Sequence, residues 1–458
     1  MTSDALERTA NAPADTECCD DGHGAATRTG SRSRSTGSTL SLASSFRWTL
    51  TGNIVNAACQ WGMLSVLARL GNAEAVGQFV LGLSIAAPIL ALTMLQLRNV
   101  QVTDVRETYS FADYFGARIF WTLIGVLAIV ICAMVASDDR STFWVVVLVG
   151  LMKAVDSVSD IVRGLFQHRE RMDLSSVSLM IKGPASLLAL TAAVWVTGSI
   201  VVASAAIAIV WAASFATYDL MLAHRLLTTM LSGPGVSGRV RPLFRLGVLG
   251  RLTWTALPLG IVMAVISLQV NIPRYVLQSH AGSALLGYFG AIVYPMMAGM
   301  MVTTAMGQSA STRLARYYAE DPKAFVRLLG KLSAISATMA LVLIAGTYVL
   351  GERVLWLLYG QEYAAYHREF LVVSVALGIQ LVGSCWGYGL TAARCFRVQV
   401  GLTAISCAAT AVAAFVLIPG HGVMGAALSV LVTSVAMAIG LAVAMFWAVR
   451  ANRTRGAV

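Results

Sequence analysis

Polar side chains recur on one face of the first apolar segment of the chain. Thr49, Asn53, Asn56 and Gln60 are separated by steps of four, three and four residues, so a helix places all of them on one side. Such a stripe offers hydrogen-bond donors and acceptors without fixed charge, which suits sugar hydroxyls or water. The stripe predicts either a polar cavity or hydrogen bonds between packed helices.

Charged residues follow the same spacing in another apolar segment. Lys153, Asp156, Asp160, Arg163 and Gln167 are separated by steps of three, four, three and four residues. Lys153 lies about 15 Å from the outer end of its predicted helix, near mid-membrane. Lys153 and Asp156 are also spaced to pair with each other. Because charge at membrane depth is costly, this face predicts either a water-filled cavity open to the cytoplasm or a structural salt bridge.

Further basic residues lie near the ends of other apolar segments. Pro273 removes a backbone donor and predicts a break or kink directly before Arg274. Arg274 is expected either to anchor an outer gate or bind an anion, or to extend toward lipid headgroups. Arg98, Arg118 and Arg251 are candidates either for ligand binding or for anchoring the topology.

The composition explains what kind of elements carry these residues. The 458 residues are 57% hydrophobic and 12% charged, and the mean hydropathy is +0.73. Soluble domains carry about 25% charged residues. These values exclude a soluble enzyme, a nucleic-acid reader and a disordered scaffold, and they predict an all-α polytopic membrane protein.

Twelve apolar stretches are long enough to span a membrane as helices, which need about 20 residues each. Strands are not expected, since the stretches lack the two-residue alternation of a membrane barrel. The predicted spans are approximately 48–68, 77–97, 117–136, 143–164, 176–196, 199–222, 252–272, 283–306, 331–350, 369–390, 398–418 and 423–449.

The basic residues predict the orientation of these spans. With both termini in the cytoplasm, only five of the 33 Lys and Arg residues fall outside, at 69, 140, 274, 353 and 368. Basic residues concentrate in cytoplasmic loops, so both termini are predicted to be cytoplasmic. The same distribution accounts for the net charge of +11 without nucleic acid as a partner.

A long connection between the sixth and seventh spans divides the chain into halves, as in many transporters. The predicted organisation is a disordered cytoplasmic tail (1–46), an N-terminal six-helix lobe (47–225), a cytoplasmic linker (226–250), a C-terminal six-helix lobe (251–450) and a short tail (451–458).

Catalytic chemistry is not expected. The six His residues are scattered without metal-ligand spacing, and the sequence contains no phosphate-binding Gly-x4-Gly-Lys-Ser/Thr motif. We therefore predict no enzyme, no catalytic residue, no metal and no cofactor.

Residues 151–185 resemble the polysaccharide transporter family, the Wzx-like flippases of lipid-linked oligosaccharides in the MATE-like exporter superfamily. The similar pattern is Lys-Ala, an acidic residue, Ser-Asp, Gly-Leu-Phe-Gln, Glu-Arg-Met and a basic-Gly pair. It falls here on Lys153, Asp156, Ser159, Asp160, Gly164, Gln167, Glu170, Arg171, Met172, Lys182 and Gly183. Lys182 replaces a frequent Arg, which keeps the charge and loses the planar fork. Segments from Gly71 to Arg98 and from Asn271 to Arg316 are also similar.

The resemblance implies two MATE-like lobes, each of six helices, in the bacterial inner membrane. It implies translocation of polyprenyl-diphosphate-linked oligosaccharide for O-antigen, capsule or exopolysaccharide assembly, with membrane lipids and a polymerase or chain-length machinery as partners. The alternatives are a drug or cation antiporter of the same superfamily, which needs free acidic residues in its cavity, and a membrane polymerase or glycosyltransferase. A non-transporting membrane scaffold fits the polar interior stripes poorly.

Overall fold

The structure is a computed structural model that describes residues 42–104, 108–137, 139–230 and 240–455. Most of the predicted N-terminal tail, the middle of the predicted linker and the last three residues lie outside the described residues. Every regular element of the described chain is helical. The all-α prediction is therefore confirmed.

Fourteen α-helices form the described chain. They are α1 (Leu42–Leu70), α2 (Ala73–Thr93), α3 (Leu97–Thr103), α4 (Phe111–Ala136), α5 (Arg140–His168), α6 (Met172–Thr197), α7 (Ile200–Ser214), α8 (Leu220–Met230), α9 (Leu246–Val293), α10 (Met297–Glu320), α11 (Pro322–Tyr359), α12 (Gln361–Ala364), α13 (His367–Ala392) and α14 (Phe396–Arg455). A π-helical turn joins α7 to α8.

Two of these helices are too long for one membrane crossing. Helix α9 has 48 residues and contains Gly282 at φ 78°, and helix α14 has 60 residues and contains Gly422 at φ 53°. Glycine tolerates this left-handed region because it has no side chain beyond Cα. Each helix therefore divides into two segments, at glycines that lie in the predicted gaps between spans, 273–282 and 419–422. The backbone stays helical at Pro273, so the break predicted there is wrong.

Eight helices of the described chain are long and apolar enough to cross a membrane. This supports a polytopic membrane fold. The number of twelve spans, the cytoplasmic position of both termini and the lobe boundaries stay predictions.

The apolar core differs between the two ends of the bundle. At the predicted outer end, one cluster joins both halves, with Val76 and Phe79 from α2 and Leu286 and Phe289 from α9. At the predicted cytoplasmic end there are two separate clusters. One lies around Phe115 on α4, and the other lies among α10, α11, α13 and α14. The halves therefore share one apolar cluster at the predicted outer end. At the predicted cytoplasmic end the core is divided into two clusters, and Leu252 and Ala256 at the start of α9 belong to the cluster of the first half.

Backbone contact without intervening side chains brings α2 and α9 together at the outer end. A Cβ atom added to Gly77 would lie 1.7 Å from the carbonyl oxygen of Ser283. One added to Gly287 would lie 2.0 Å from the carbonyl oxygen of Ala73. Small residues permit such close approach in membrane helices. These glycines are thus required for the outer closure.

Polar contacts between α1 and α11 reinforce this closure. The indole Nε1 of Trp61 donates to the Tyr359 hydroxyl at 2.7 Å. The guanidinium of Arg69 donates to the carbonyl oxygens of Trp356 and Leu358 at 3.2 and 3.3 Å. These carbonyls lie in the last turn of α11, where a helix carries partial negative charge.

We expect Gly77→Ala to destabilise the protein, because the new methyl group must push α2 away from α9. Overpacking of this kind costs about 1–3 kcal/mol. The measurement is the thermal unfolding midpoint in detergent, with Gly346→Ala as the matched control, since no atom lies within 4 Å of a Cβ added there. Equal midpoints for the two variants would contradict the close-contact interpretation.

Candidate functional site

Helix α5 gathers the charged side chains. Its first turn is fixed by Asp139, whose carboxylate accepts from the backbone N–H groups of Ser141 at 3.1 Å and Thr142 at 3.2 Å. Helices α2, α4 and α7 pack around α5. Side chains from neighbouring helices can therefore pair with the charged face of α5.

Asp160 is shared by three guanidinium groups. Its Oδ1 lies 2.9 Å from Nη1 of Arg98 and 3.6 Å from Nη2 of Arg163. Its Oδ2 lies 3.6 Å from Nη2 of Arg118. One carboxylate carries one negative charge, so these three cations are only partly neutralised by it.

A polar cavity of about 390 Å³ opens beside Asp160. Its walls come from the turn between α2 and α3 and from α3, α4 and α5, and they comprise Met94, Gln96, Arg98, Asn99, Arg118, Asp160 and Gln167. The Arg98 side chain is 29% exposed and also donates to Gln167 Oε1 at 2.8 Å. Arg118 is fully buried, and its Nε and Nη2 have no hydrogen-bond partner. The cavity thus presents guanidinium donors that protein acceptors do not saturate.

The turn between α2 and α3 positions Arg98. Leu95 and Gln96 adopt φ values of 50° and 51°, a left-handed region that side chains disfavour. Beyond α3, the Asp104 carboxylate accepts from the backbone N–H groups of Thr108 and Tyr109 at 3.0 and 3.1 Å. Burial raises the pKa of Asp104, but these hydrogen bonds outweigh it, so its pKa lies below the ordinary value. Asp104 therefore stays ionised at neutral pH and keeps its hydrogen bonds to Thr108 and Tyr109, just before α4.

Asp156 does not form the pair that its spacing predicts. Its Oδ1 lies 3.1 Å from Nη2 of Arg163 and 3.3 Å from Nζ of Lys182. Among the described residues no carboxylate is within ion-pair distance of Lys153. The reason is that α6 brings the fully buried Lys182 to Asp156, while Arg163 reaches back along α5. The Lys153–Asp156 salt bridge is therefore corrected to Arg163–Asp156–Lys182.

Two ammonium groups share one aromatic ring. Nζ of Lys153 lies 5.3 Å from the ring centroid of Trp211, and Nζ of Lys182 lies 4.9 Å from it. The indole Nε1 of Trp211 is fixed by donation to Ser186 Oγ at 2.7 Å. The electron-rich face of tryptophan attracts cations. Trp211 thus supports Lys153 without neutralising it.

Asp219 completes the set of buried carboxylates. It lies on the π-helical turn Phe215–Asp219, a local irregularity that is frequent at functional sites. It accepts hydrogen bonds from Ser159 and from Ser178, the latter at 2.6 Å. Ser159 also lies 3.1 Å from Nη1 of Arg163. Asp219 is therefore connected to the other charges through serine hydroxyl groups.

These contacts define one charge cluster with an excess of positive charge. Its members are Arg98, Arg118, Lys153, Asp156, Asp160, Arg163, Lys182 and Asp219. Five basic groups face three carboxylates, so the formal charge is +2 when all are ionised. A cluster of this kind, with an adjoining cavity, can bind an anion.

The polar residues of α1 were predicted either to line a cavity or to form hydrogen bonds between packed helices, and they do not all have the same role. Gln60 Oε1 accepts from the Tyr294 hydroxyl at 3.2 Å, which joins the two halves. Asn56 lies against Gly183 of α6, and its Oδ1 is buried without a partner. Thr49 donates to the carbonyl of Ser45 in its own helix. Packing between helices therefore explains part of the stripe, and Asn56 keeps a free acceptor.

Arg274 lies apart from the charge cluster, on α9. Its Nη1 donates to Asn271 Oδ1 at 2.9 Å, and its Nε is buried without a partner. The side chain of Arg251 donates to the carbonyl of Gly247 in its own helix, at 3.3 Å. Asn53 has no hydrogen bond to the charge cluster among the described residues. Arg251 and Asn53 are thus not brought together with the other candidates.

Sequence reasoning gave too little weight to three members of the cluster. Lys182 and Asp219 are ionisable residues within predicted spans, and that position alone is a signal of function. Arg163 was predicted only to share the charged face of α5, and it contacts both Asp156 and Asp160. Pairing across helices decides these roles, and spacing within one helix does not show it.

Comparison with known proteins adds a relative. No protein-family profile matches the sequence. The chain is 26% identical over 393 residues to the capsular polysaccharide biosynthesis protein CapF of Staphylococcus aureus, which covers 86% of this chain and 96% of that protein.

Solved structures share the fold at low identity. An inward-facing multidrug resistance MATE family transporter of the MOP superfamily has a TM-score of 0.66 and 11% identity, over 89% of this chain and 99% of that one. The lipid II flippase MurJ, in an inward closed conformation, has a TM-score of 0.62 and 11% identity, over 86% of each chain. An outward-facing MATE transporter has a TM-score of 0.52 and 13% identity, over 88% of this chain and 96% of that one.

The chain is a multi-pass membrane protein with a MATE-like fold. The resemblance drawn from its sequence is confirmed by the capsule-biosynthesis relative and by these fold neighbours.

Proposed function

We propose that the protein is a flippase. It carries polyprenyl-diphosphate-linked oligosaccharide units across the bacterial inner membrane for the assembly of capsule, O-antigen or exopolysaccharide. The observation that carries this proposal is the charge cluster, in which five basic side chains oppose three carboxylates at and below mid-membrane depth. The capsule-biosynthesis relative and the flippase fold neighbour support it.

The diphosphate group of such a substrate matches the chemistry of the cluster. Guanidinium groups bind phosphoryl oxygens through paired hydrogen bonds. Arg98 and Arg118 line a cavity, and Nε and Nη2 of Arg118 have no hydrogen-bond partner. A basic excess in a low-dielectric surrounding is costly without an anion, so a bound diphosphate lowers the energy of the site.

Alternating access follows from the packing of the halves. The outer end is held by the shared apolar cluster and by the glycine contacts of α2 with α9. At the predicted cytoplasmic end the core is divided into two clusters, and we propose that the region between them opens to the side where lipid-linked units are assembled. Separation of α2 from α9, with closure at the other end, would expose the same region to the outer side.

A drug or cation antiporter is the first alternative, and it needs a carboxylate free to bind a cation. Asp156 and Asp160 each contact two or more basic groups, which argues against it. A membrane polymerase or glycosyltransferase is the second alternative. The connections between described helices are short and supply no separate catalytic domain. A polysaccharide polymerase and chain-length machinery remain proposed partners.

Reconstitution tests the proposed activity directly. Proteoliposomes containing the full chain should speed the movement of a fluorescent prenyl-diphosphate-linked disaccharide between leaflets, measured by access of a membrane-impermeant quencher. Protein-free vesicles and the corresponding prenyl alcohol are the controls, since the alcohol lacks the diphosphate. Movement of the alcohol at the same rate, or pH-driven efflux of a cationic dye instead, would contradict the proposal.

Lys153→Met should abolish transport without unfolding the protein, because no described carboxylate lies within ion-pair distance of Lys153. Lys182→Met should lower stability by about 3 kcal/mol, since Asp156 loses one of its two ion-pair partners. The readouts are surface polysaccharide in a deletion strain, protein abundance and the unfolding midpoint in detergent. Wild-type polysaccharide with Lys153→Ala or Lys153→Met, at normal abundance, would show that Lys153 has no role in transport.

A further inference from the structure

Arg274 differs from every guanidinium of the charge cluster. Arg98, Arg118 and Arg163 each have a carboxylate oxygen within 3.6 Å. The guanidinium of Arg274 has none among the described residues, and its hydrogen bond goes to the neutral amide of Asn271 at 2.9 Å. Arg274 is therefore an uncompensated cation inside the protein.

Arg274 lies deep in the predicted membrane, where the lack of a carboxylate partner is costly. Arg274 lies about 12 Å along α9 from the kink at Gly282, which marks the outer end of that segment. Its neighbour Tyr275 donates to the backbone carbonyl of Ser84, which lies about 16 Å from the outer start of α2. Gln60 lies about 15 Å from the outer end of α1. An unpaired charge at this depth marks a site of function.

The groups around Arg274 are arranged to leave one edge of the guanidinium available. Asn271 is itself held, since its Nδ2 donates to the carbonyl of Ser267 at 2.8 Å, and so its Oδ1 faces Nη1 of Arg274. The Nε atom of Arg274 is buried and has no partner. Nε and Nη2 together form the edge of a guanidinium that binds an oxyanion with two parallel hydrogen bonds.

The opposite wall comes from the other half of the chain. Tyr294 is an electrostatic neighbour of Arg274, and its hydroxyl donates to Gln60 Oε1 at 3.2 Å. The Gln60 amide nitrogen keeps its donor capacity, because only its oxygen takes part in that bond. The guanidinium of Arg274 and the amide of Gln60 therefore both neighbour Tyr294, which connects α1 to the turn after α9.

We propose that Arg274 is a second oxyanion site, which receives the charged group of the substrate from the charge cluster before release on the outer side. This inference rests on the proposed function. The ligand chemistry is an oxyanion held by a guanidinium, and its source is either the substrate diphosphate or a free inorganic anion. Opening of the outer end separates Gln60 from Arg274 and hydrates the site, which frees the anion.

Binding and transport should respond differently to Arg274→Gln. Binding of the fluorescent prenyl diphosphate to purified protein should stay near the wild-type affinity, because the charge cluster is intact. Transport in proteoliposomes should fall about 10- to 100-fold, the loss expected for a hydrogen bond to a charged group. Arg274→Lys should retain intermediate transport, since it keeps the charge and loses the fork. Arg353→Gln, an exposed arginine on α11, is the matched control and should behave as wild type.

Gln60→Glu provides a second variant that does not remove the arginine. A carboxylate at this position offers Arg274 a permanent partner from the opposite half, so transport should fall while the unfolding midpoint is kept or raised. Sodium diphosphate is the probe for an inorganic source and should compete with the fluorescent prenyl diphosphate for transport.

The outcomes separate the two proposals. If the wild-type protein neither binds nor moves the fluorescent prenyl diphosphate, the proposed function is wrong. If it does both, and folded Arg274→Gln or Gln60→Glu transports at the wild-type rate, the second site is wrong. Loss of binding together with transport in Arg274→Gln would place Arg274 in the first site and overturn the transfer between sites. If sodium diphosphate binds in a way that requires Arg274, and the lipid-linked probe does not, Arg274 binds an inorganic anion and not the substrate.

Discussion

The fold of this protein depends on how ionised side chains are compensated at membrane depth. Lipid supplies neither water nor counterions, so each buried charge needs a partner from another helix or from a ligand. Helix α5 meets this requirement through ion pairs with α3, α4 and α6. Asp160 alone connects Arg98, Arg118 and Arg163. The compensation is incomplete, and the remaining positive charge is what the helices hold in place for function.

Closure at the outer end is governed by a different constraint. Apolar surfaces between helices gain little from lipid exclusion, so shape and close approach determine their association. Gly77 and Gly287 allow α2 and α9 to touch through their backbones. At the predicted cytoplasmic end the described core residues form two clusters, one of which joins the start of α9 to the first half. The charge cluster adjoins the cavity beside Asp160 at this end, and in the proposed function an anion reaches it from there.

Much of this arrangement could be predicted from the sequence, because helical spacing and apolar length are local properties. The three- and four-residue steps on α5 correctly placed Lys153, Asp156 and Asp160 on one face. The breaks at Gly282 and Gly422 fall in the predicted gaps between spans, 273–282 and 419–422, although α9 continues through Pro273. The partner of Asp156 could not be predicted, since it is Lys182 on the next helix, 26 residues away. Spacing identifies which residues share a face, whereas packing between helices determines which of them pair.

The charged side chains of the two proposed sites lie at different depths along the predicted membrane normal. Asp156, Asp160 and Asp219 lie about 24–30 Å from the outer ends of their helices, in the cytoplasmic half. Lys153 lies about 20 Å from the outer end of α5, and Arg274 lies about 12 Å from the kink of α9.

The carboxylates of the charge cluster thus lie lower than Lys153 and Arg274, which have no carboxylate within ion-pair distance among the described residues. In the proposed function, an anion that leaves the partly neutralised guanidinium groups would meet Lys153 and then Arg274. This order of charges would favour movement away from the cytoplasm. It also explains why the outer end must open and admit water before such an anion can leave Arg274.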